Sequence, residues 1–192
     1  MKNYFEETLS ILSDSLKSVN EENFNLLLKD CEKTLEDGNK IIVSGLGKNV
    51  PICEKFVGTM LSLGMNANFL HTNSAVHGDV GMVKDYDLVI VLTKSGSTAE
   101  SVYLVDILKQ RNCKLWLLTF NSNGKLSIVV ENKLVISLEH EGDMWDIVPN
   151  NSTILNLIVL QTLAIMLAKN LNITLDDFKK NHPGGAIGEQ LK

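Results

Sequence analysis

A chain of 192 residues fits one domain, or two small ones, and can bury a core without disulfide staples. Its 44% hydrophobic and 21% charged residues exclude wholesale disorder. A net charge of −5 leaves no basic surplus for phosphate backbones, and 6% aromatics give few base-stacking platforms, which argues against a nucleic-acid binder.

Lys2, Glu6 and Glu7 stand ahead of any apolar run, which is not the pattern of a secretory signal. Phe5, Leu9, Leu12, Leu16 and Val19 recur at helical spacing. Phe24, Leu27, Leu28, Cys31 and Leu35 do the same, with Asn20 as N-cap and Gly38 as the stop. The spacing predicts a helical pair over residues 1–38. The pattern then changes to short apolar runs at Lys40–Ser44, Asn68–His71, Leu88–Thr93, Leu115–Phe120 and Leu134–Leu138. Helical candidates alternate with them at Pro51–Leu63, Thr98–Gln110 and Lys125–Val130. Continuous apolar strands alternating with helices predict a parallel sheet covered on both faces, an α/β fold. The apolar stretch Ile154–Ala168 is broken by Asn156, Gln161 and Thr162. It reads as too short to span a bilayer and as part of a buried closing helix over Asn150–Asn170. A short helix capped by Thr174 precedes the tail. Cys31, Cys53 and Cys113 are an odd set without a CxxC pair, the usage of a reduced, cytoplasmic protein with neither a disulfide framework nor a zinc site.

In open α/β sheets ligands bind beyond the carboxyl ends of the strands, so the post-strand segments carry the functional signal. Ser44–Asn49 offers Gly45 and Gly47 for close backbone approach and Lys48 as a cation. It is not a Walker loop and lacks the third glycine of a dinucleotide fingerprint. Ser95, Gly96, Ser97 and Thr98 bring hydroxyls and backbone N–H groups to a helix N-terminus, a phosphate site in waiting. The plainer reading is that Ser97 or Thr98 caps the helix. After the last strand, Glu139, Glu141 and Asp143 precede the polar cluster Pro149–Thr153, where Ser152 and Thr153 cap a helix or hold a ligand. Taken alone, Glu141 reads as a solvated loop carboxylate. His182, locked before Pro183, Gly184 and Gly185, is an unusual histidine for a terminal segment, which otherwise reads as a flexible tail.

Together these segments resemble the sugar-isomerase (SIS) domain, and more narrowly the arabinose-5-phosphate isomerases of the Kdo and capsule pathways. The motifs are GLGK at Gly45–Lys48, LHTNSAVHGDVGM at Leu70–Met82, SGSTAE at Ser95–Glu100, PNNST at Pro149–Thr153 and HPGGAIG at His182–Gly188. The resemblance runs from about Asn39 to Lys192. It implies a three-layer αβα sandwich around a five-stranded parallel sheet, usually a tetramer. It implies interconversion of ribulose 5-phosphate and arabinose 5-phosphate, with Lys48, Glu100, Glu141 and His182 as catalytic residues. Phosphate is expected on Gly47, Ser95, Gly96, Ser97 and Thr98 with Ser152 in support, and His77 and Asp79 near the site. No metal or organic cofactor is expected, because enediol chemistry needs only acid–base groups. On that chemistry Glu100 or Glu141 shuttles the carbon proton, His182 assists ring opening or oxygen proton transfer, and Lys48 steadies the enediolate or anchors phosphate.

The chain departs from the family pattern around this site. Asn49 and Val50 replace a Ser-Gly pair, and Ser74 replaces an acidic residue. SGET reads Ser95-Gly96-Ser97-Thr98 with Lys94 beside it. Asp143, Trp145 and Asp146 enter a normally neutral segment, and Asn150 follows Pro149 where threonine is typical. These changes bear on which sugar is taken. Other SIS activities, such as 3-hexulose-6-phosphate isomerisation, and a non-catalytic sugar-phosphate sensor are the rival readings. The apolar helices predict a homo-oligomer, with the His182 tail ordered at a subunit interface. Many arabinose-5-phosphate isomerases continue past HPGGAxG into paired CBS domains. The sequence ends four residues after Gly188, which predicts the SIS domain alone.

Overall fold

The computed structural model describes residues 1–190; the last two residues of the tail lie outside them. The helical pair forms as α1 (Lys2–Lys17) and α2 (Glu21–Glu36). Asn20 caps α2 by accepting the Asn23 N–H at 2.8 Å. Gly38 stops it with φ +81°, a left-handed conformation that costs glycine little.

The strands are β1 (Ile41–Gly45), β2 (Ala67–His71), β3 (Leu88–Thr93), β4 (Lys114–Thr119) and β5 (Lys133–Val135). They form one sheet in the order β2-β1-β3-β4-β5, and every pairing is parallel. Every residue of β1 and of β3 is buried, as central strands covered on both faces require. Alternation sorts the side chains. Ile41, Val43, Leu88, Ile90, Leu92, Trp116 and Leu118 face one layer; Ile42, Val89, Val91 and Leu117 face the other. The first layer holds α1, α2, α3 (Val50–Ser62) and α7 (Asn151–Asn170); the second holds α5 (Ala99–Leu108) and α6 (Lys125–Val129). Burial of each large aliphatic side chain contributes about 1.5–3 kcal/mol, and the apolar stripes of these helices find that burial against the sheet and against one another, with α7 packed on α1, α2 and α3.

Several boundaries differ from expectation. β5 ends at Val135 instead of Leu138, because after the Ile136 N–H bonds the Thr119 carbonyl at 2.9 Å the chain turns to α1, where the Ser137 N–H donates to Ser18 Oγ at 2.8 Å. α7 runs 20 residues and is by length and composition apolar enough to cross a membrane. Its Leu155, Val159, Leu160, Leu163, Ala164 and Leu167 are instead buried in the core. Short elements were not foreseen: a 3-10 turn at Gly47–Asn49, α4 (Thr72–Ala75), another 3-10 turn at Asp79–Met82, and α9 (Gly185–Gln190) after α8 (Leu175–Lys180). The tail is therefore helical from Gly185 onward, within its HPGGAIG segment. A Cβ on Gly188 would stand 2.7 Å from the His182 carbonyl, so α9 packs closely on the residues before it. Cys31, Cys53 and Cys113 are free thiols.

Candidate functional site

At the carboxyl ends of β1 and β3 lies a cleft of ≈ 200 Å³ lined by Lys48, Asn49, Lys94, Ser95, Thr98 and Ser152 among others. β1 delivers Lys48 through the 3-10 turn, which opens with Gly47 at φ +56°. The end of β3 delivers Lys94 and the hydroxyl loop. Thr93 Oγ1 accepts the Gly96 N–H at 3.2 Å, and Ser95 Oγ accepts the Ser97 N–H at 3.2 Å. Gly96 has φ +63°, and a Cβ on Gly124 would lie 2.5 Å from the Ser95 carbonyl oxygen, so glycines on both sides allow the loop to close on α6. Ser95 and Thr98 have hydroxyl oxygens 3.4 Å apart at the cleft.

The capping reading of this loop does not hold. Thr98 is the N-cap residue of α5, yet its side chain makes no cap hydrogen bond. Ser97 Oγ accepts the Lys125 N–H at 3.2 Å and so ties the loop to α6. Ser95 and Thr98 thus present their hydroxyls to the cleft beside a helix N-terminus, an arrangement suited to an anion. Ser97 and Gly96 shape the loop and do not line the cleft.

Glu141 is not a solvated loop residue: it is fully buried directly behind this cleft. Its Oε1 takes the Ser152 hydroxyl at 2.6 Å and the Lys94 ammonium at 2.7 Å. Its Oε2 takes the N–H groups of Asn150 at 3.0 Å and Ser152 at 2.9 Å. The carboxylate therefore caps α7, at the positive end of the helix dipole. Burial pushes the Glu141 carboxyl up, but the Lys94 ammonium, the Ser152 hydroxyl and the N–H groups outweigh it and hold the group below the usual carboxylate range. Asp146, at φ +56°, accepts the Glu141 N–H at 2.7 Å. Asp143 gathers the N–H groups of Trp145, Ile147 and Val148 at 2.9, 3.0 and 2.9 Å. The departing loop is thus internally pinned, with Met144, Trp145 and Ile147 exposed on it.

The other expected residues stand apart. Glu100, in the first turn of α5, lines a neighbouring cleft of ≈ 290 Å³ with His77, Tyr103 and Thr72. His182 lies at the far end of α3. Its Nδ1 meets the Phe178 carbonyl at 2.7 Å, so that nitrogen carries the proton. Its Nε2 is 2.9 Å from Ser62 Oγ and accepts from it in the neutral ring. The ring stacks on Phe178 at a centroid distance of 3.9 Å. Asn49 at the start of α3 lines the central cleft, whereas Ser62 ends this 13-residue helix, about 20 Å away at 1.5 Å per residue. The fold brings Lys48, the hydroxyl loop, Ser152 and Glu141 together, with Glu100 and His77 next door and His182 on the opposite end of the domain.

Sequence reasoning gave no role to Lys94 or Asn156. Asn156 donates from Nδ2 to Asn49 Oδ1 at 3.0 Å, while its own buried Oδ1 lacks a partner among the described residues. Lys94 was visible only as a cation beside the SGST run. Among the described residues no group of three His, Cys, Asp or Glu side chains is placed to hold a metal ion.

A doubly wound parallel sheet with a hydroxyl loop and two lysines at its carboxyl edge defines an α/β domain with its cleft where such sheets bind ligands. The SIS domain family matches residues 34–169, and the chain belongs to that family. It is 33% identical over 186 residues to arabinose 5-phosphate isomerase KdsD of Pseudomonas aeruginosa, covering 97% of this chain and 57% of that protein. The same enzyme of Escherichia coli is 32% identical over 189 residues, again with 97% and 57% coverage. The chain thus spans little more than half the length of these relatives. Among solved structures, the c3406 protein of E. coli CFT073 in complex with arabinose 5-phosphate superposes with a TM-score of 0.87 at 29% identity, covering 95% of each chain.

Proposed function

We propose that the chain is an aldose–ketose isomerase interconverting ribulose 5-phosphate and arabinose 5-phosphate through an enediol. The observation that carries this reading is the cleft itself: the hydroxyls of Ser95 and Thr98, the Lys48 side chain and, behind them, a buried carboxylate held by Lys94 meet where the strands end. The likeness to KdsD across 97% of the chain supports the five-carbon substrate.

The phosphate sits on Ser95 and Thr98, shaped by Gly47, Gly96 and Ser97, with Lys48 as its cation or as the partner of the enediolate oxygen. Glu141 is buried and its oxygens are already filled by four donors, so it organises the site. The exposed Glu100 carboxylate is the better placed proton shuttle. Starting from the aldose, Glu100 takes the C2 proton, and that electron pair forms the C1–C2 double bond as O1 gains a proton. The O2 proton then leaves, the C2 carbonyl forms, and Glu100, whose exposed carboxyl exchanges its proton with solvent while the enediol stands, protonates C1. His182, whose Nε2 is the unprotonated nitrogen in its neutral form, assists ring opening or the oxygen proton transfers. Lying about 20 Å from its own cleft, it serves the site of a neighbouring subunit in a homo-oligomer, with a tetramer expected. Three free cysteines suit a cytoplasmic enzyme.

Incubation with ribulose 5-phosphate, with hexulose 6-phosphate in parallel, tests the reading. Appearance of arabinose 5-phosphate supports it. Turnover of hexulose 6-phosphate alone, or tight binding of both sugars without conversion, overturns it.

A further inference from the structure

We propose that Lys94 is a positioning and specificity-determining residue: its ammonium clamps Glu141 behind the cleft and presents the substrate anion with a second cation beside Lys48. This rests on the sugar-phosphate reading of the cleft.

Lys94 directly follows the last residue of β3, so the sheet itself places it in the crevice where α/β domains bind ligands. Its ammonium is 2.7 Å from Glu141 Oε1, and the two partners are unequal: the lysine side chain is 46% exposed, the glutamate 0%. A pair exposed on both sides would contribute little. Here one partner is a buried carboxylate, which needs compensation wherever it stands. An ammonium has three donors, and Glu141 uses one. Lys94 makes no other side-chain hydrogen bond or ion pair among the described residues, and it lines the cleft with Lys48, Ser95 and Thr98.

The charge balance makes this more than a structural pair. Two lysines and one buried carboxylate leave the cleft with a net positive charge before a phosphate arrives. The Lys94 cation is held at the cleft wall by Glu141 and its rotamers are narrowed in advance, which lowers the cost of ordering it on a ligand. A phosphate ester reaching Ser95 and Thr98 therefore meets a cation already positioned, and the oxygens of a phosphate accept such charge-assisted bonds strongly.

The test is binding of inorganic phosphate and of ribulose 5-phosphate by calorimetry to the full chain. Lys94→Met is expected to weaken both at least tenfold, and Lys94→Arg to restore most of the loss. Because Lys94→Met strands the Glu141 charge and can impair folding, the Lys94→Met/Glu141→Gln pair is measured as well. It removes both charges, and weak phosphate binding is still expected. Glu141→Gln alone keeps the Lys94 cation but releases its clamp, and is expected to weaken phosphate binding less than Lys94→Met does. In turnover, Lys94→Arg is expected to raise KM more than it lowers kcat. Unchanged phosphate affinity in Lys94→Met or in the double variant overturns the role of Lys94. Absence of turnover in the unsubstituted chain bears on the isomerase reading alone, since binding is read without it.

Discussion

Ser152 grips Glu141 twice: its hydroxyl donates to Oε1 at 2.6 Å and its backbone N–H to Oε2 at 2.9 Å. One residue thus joins the start of α7 to the loop after β5 and fixes the carboxylate behind the cleft. Ser152→Ala removes the side-chain half of that grip. A hydrogen bond to a charged group contributes about 1.5–3 kcal/mol, and a loss of that size is expected in urea unfolding at pH 7. A midpoint within error of the unsubstituted chain would mean the contact carries no stability.

The low position of the Glu141 carboxyl sets the direction of a pH effect. Its folded-state pKa lies below the ordinary 4.5, so its stabilising contribution is fully present above that value. It is lost as the pH falls through the folded pKa. Urea midpoints of the unsubstituted chain should therefore decline as the pH falls below 4.5. Glu141→Gln should start less stable at neutral pH and decline less over the same interval. Parallel curves for the two proteins would count against the assignment.

The separation of His182 from the cleft leads to a complementation experiment. His182→Ala should lose turnover by about 10²–10⁴-fold, the usual contribution of a positioned acid–base group, and Lys48→Met by about 10²–10³-fold, the usual cost of removing one group that steadies an oxyanion. Mixed after unfolding and refolding together, the two inactive chains should recover activity, because some sites then draw an intact Lys48 from one subunit and an intact His182 from another. No recovery in refolded mixed oligomers would place all groups in one chain.

Away from the cleft, the buried indole of Trp116 donates to Asp30 Oδ2 at 2.9 Å, and Lys114 bonds the other oxygen at 2.6 Å. Asp30→Ala leaves that N–H unpaired, a cost of about 1–3 kcal/mol. Thermal unfolding should shift while KM for ribulose 5-phosphate stays put. A changed KM would connect the two ends of the sheet.

The sheet was legible because each strand is a continuous apolar run, and a strand buried on both faces leaves that mark. The loop after β3 was legible as more than a cap: Ser95 and Thr98 line the cleft, and the Thr98 side chain makes no cap hydrogen bond to α5. Three things were not readable. Glu141 looks like any loop carboxylate, because its burial depends on Lys94 and Ser152, distant in sequence. Lys94 looks like a solvated lysine for the same reason. The position of His182 depends on the direction of α3, which carries Ser62 to the end of the sheet opposite the cleft. Spacing along the chain reports none of these, since each is a relation between elements that meet only in the folded sandwich.

The enediol is tested most directly by proton NMR of arabinose 5-phosphate incubated with the protein in deuterium oxide. Loss of the C2 proton signal, with deuterium appearing in both pentose phosphates, is expected. Glu100→Gln should slow that exchange by about 10²–10⁴-fold. Exchange and conversion as fast in Glu100→Gln as in the unsubstituted chain, or no exchange and no conversion, would contradict proton abstraction by Glu100.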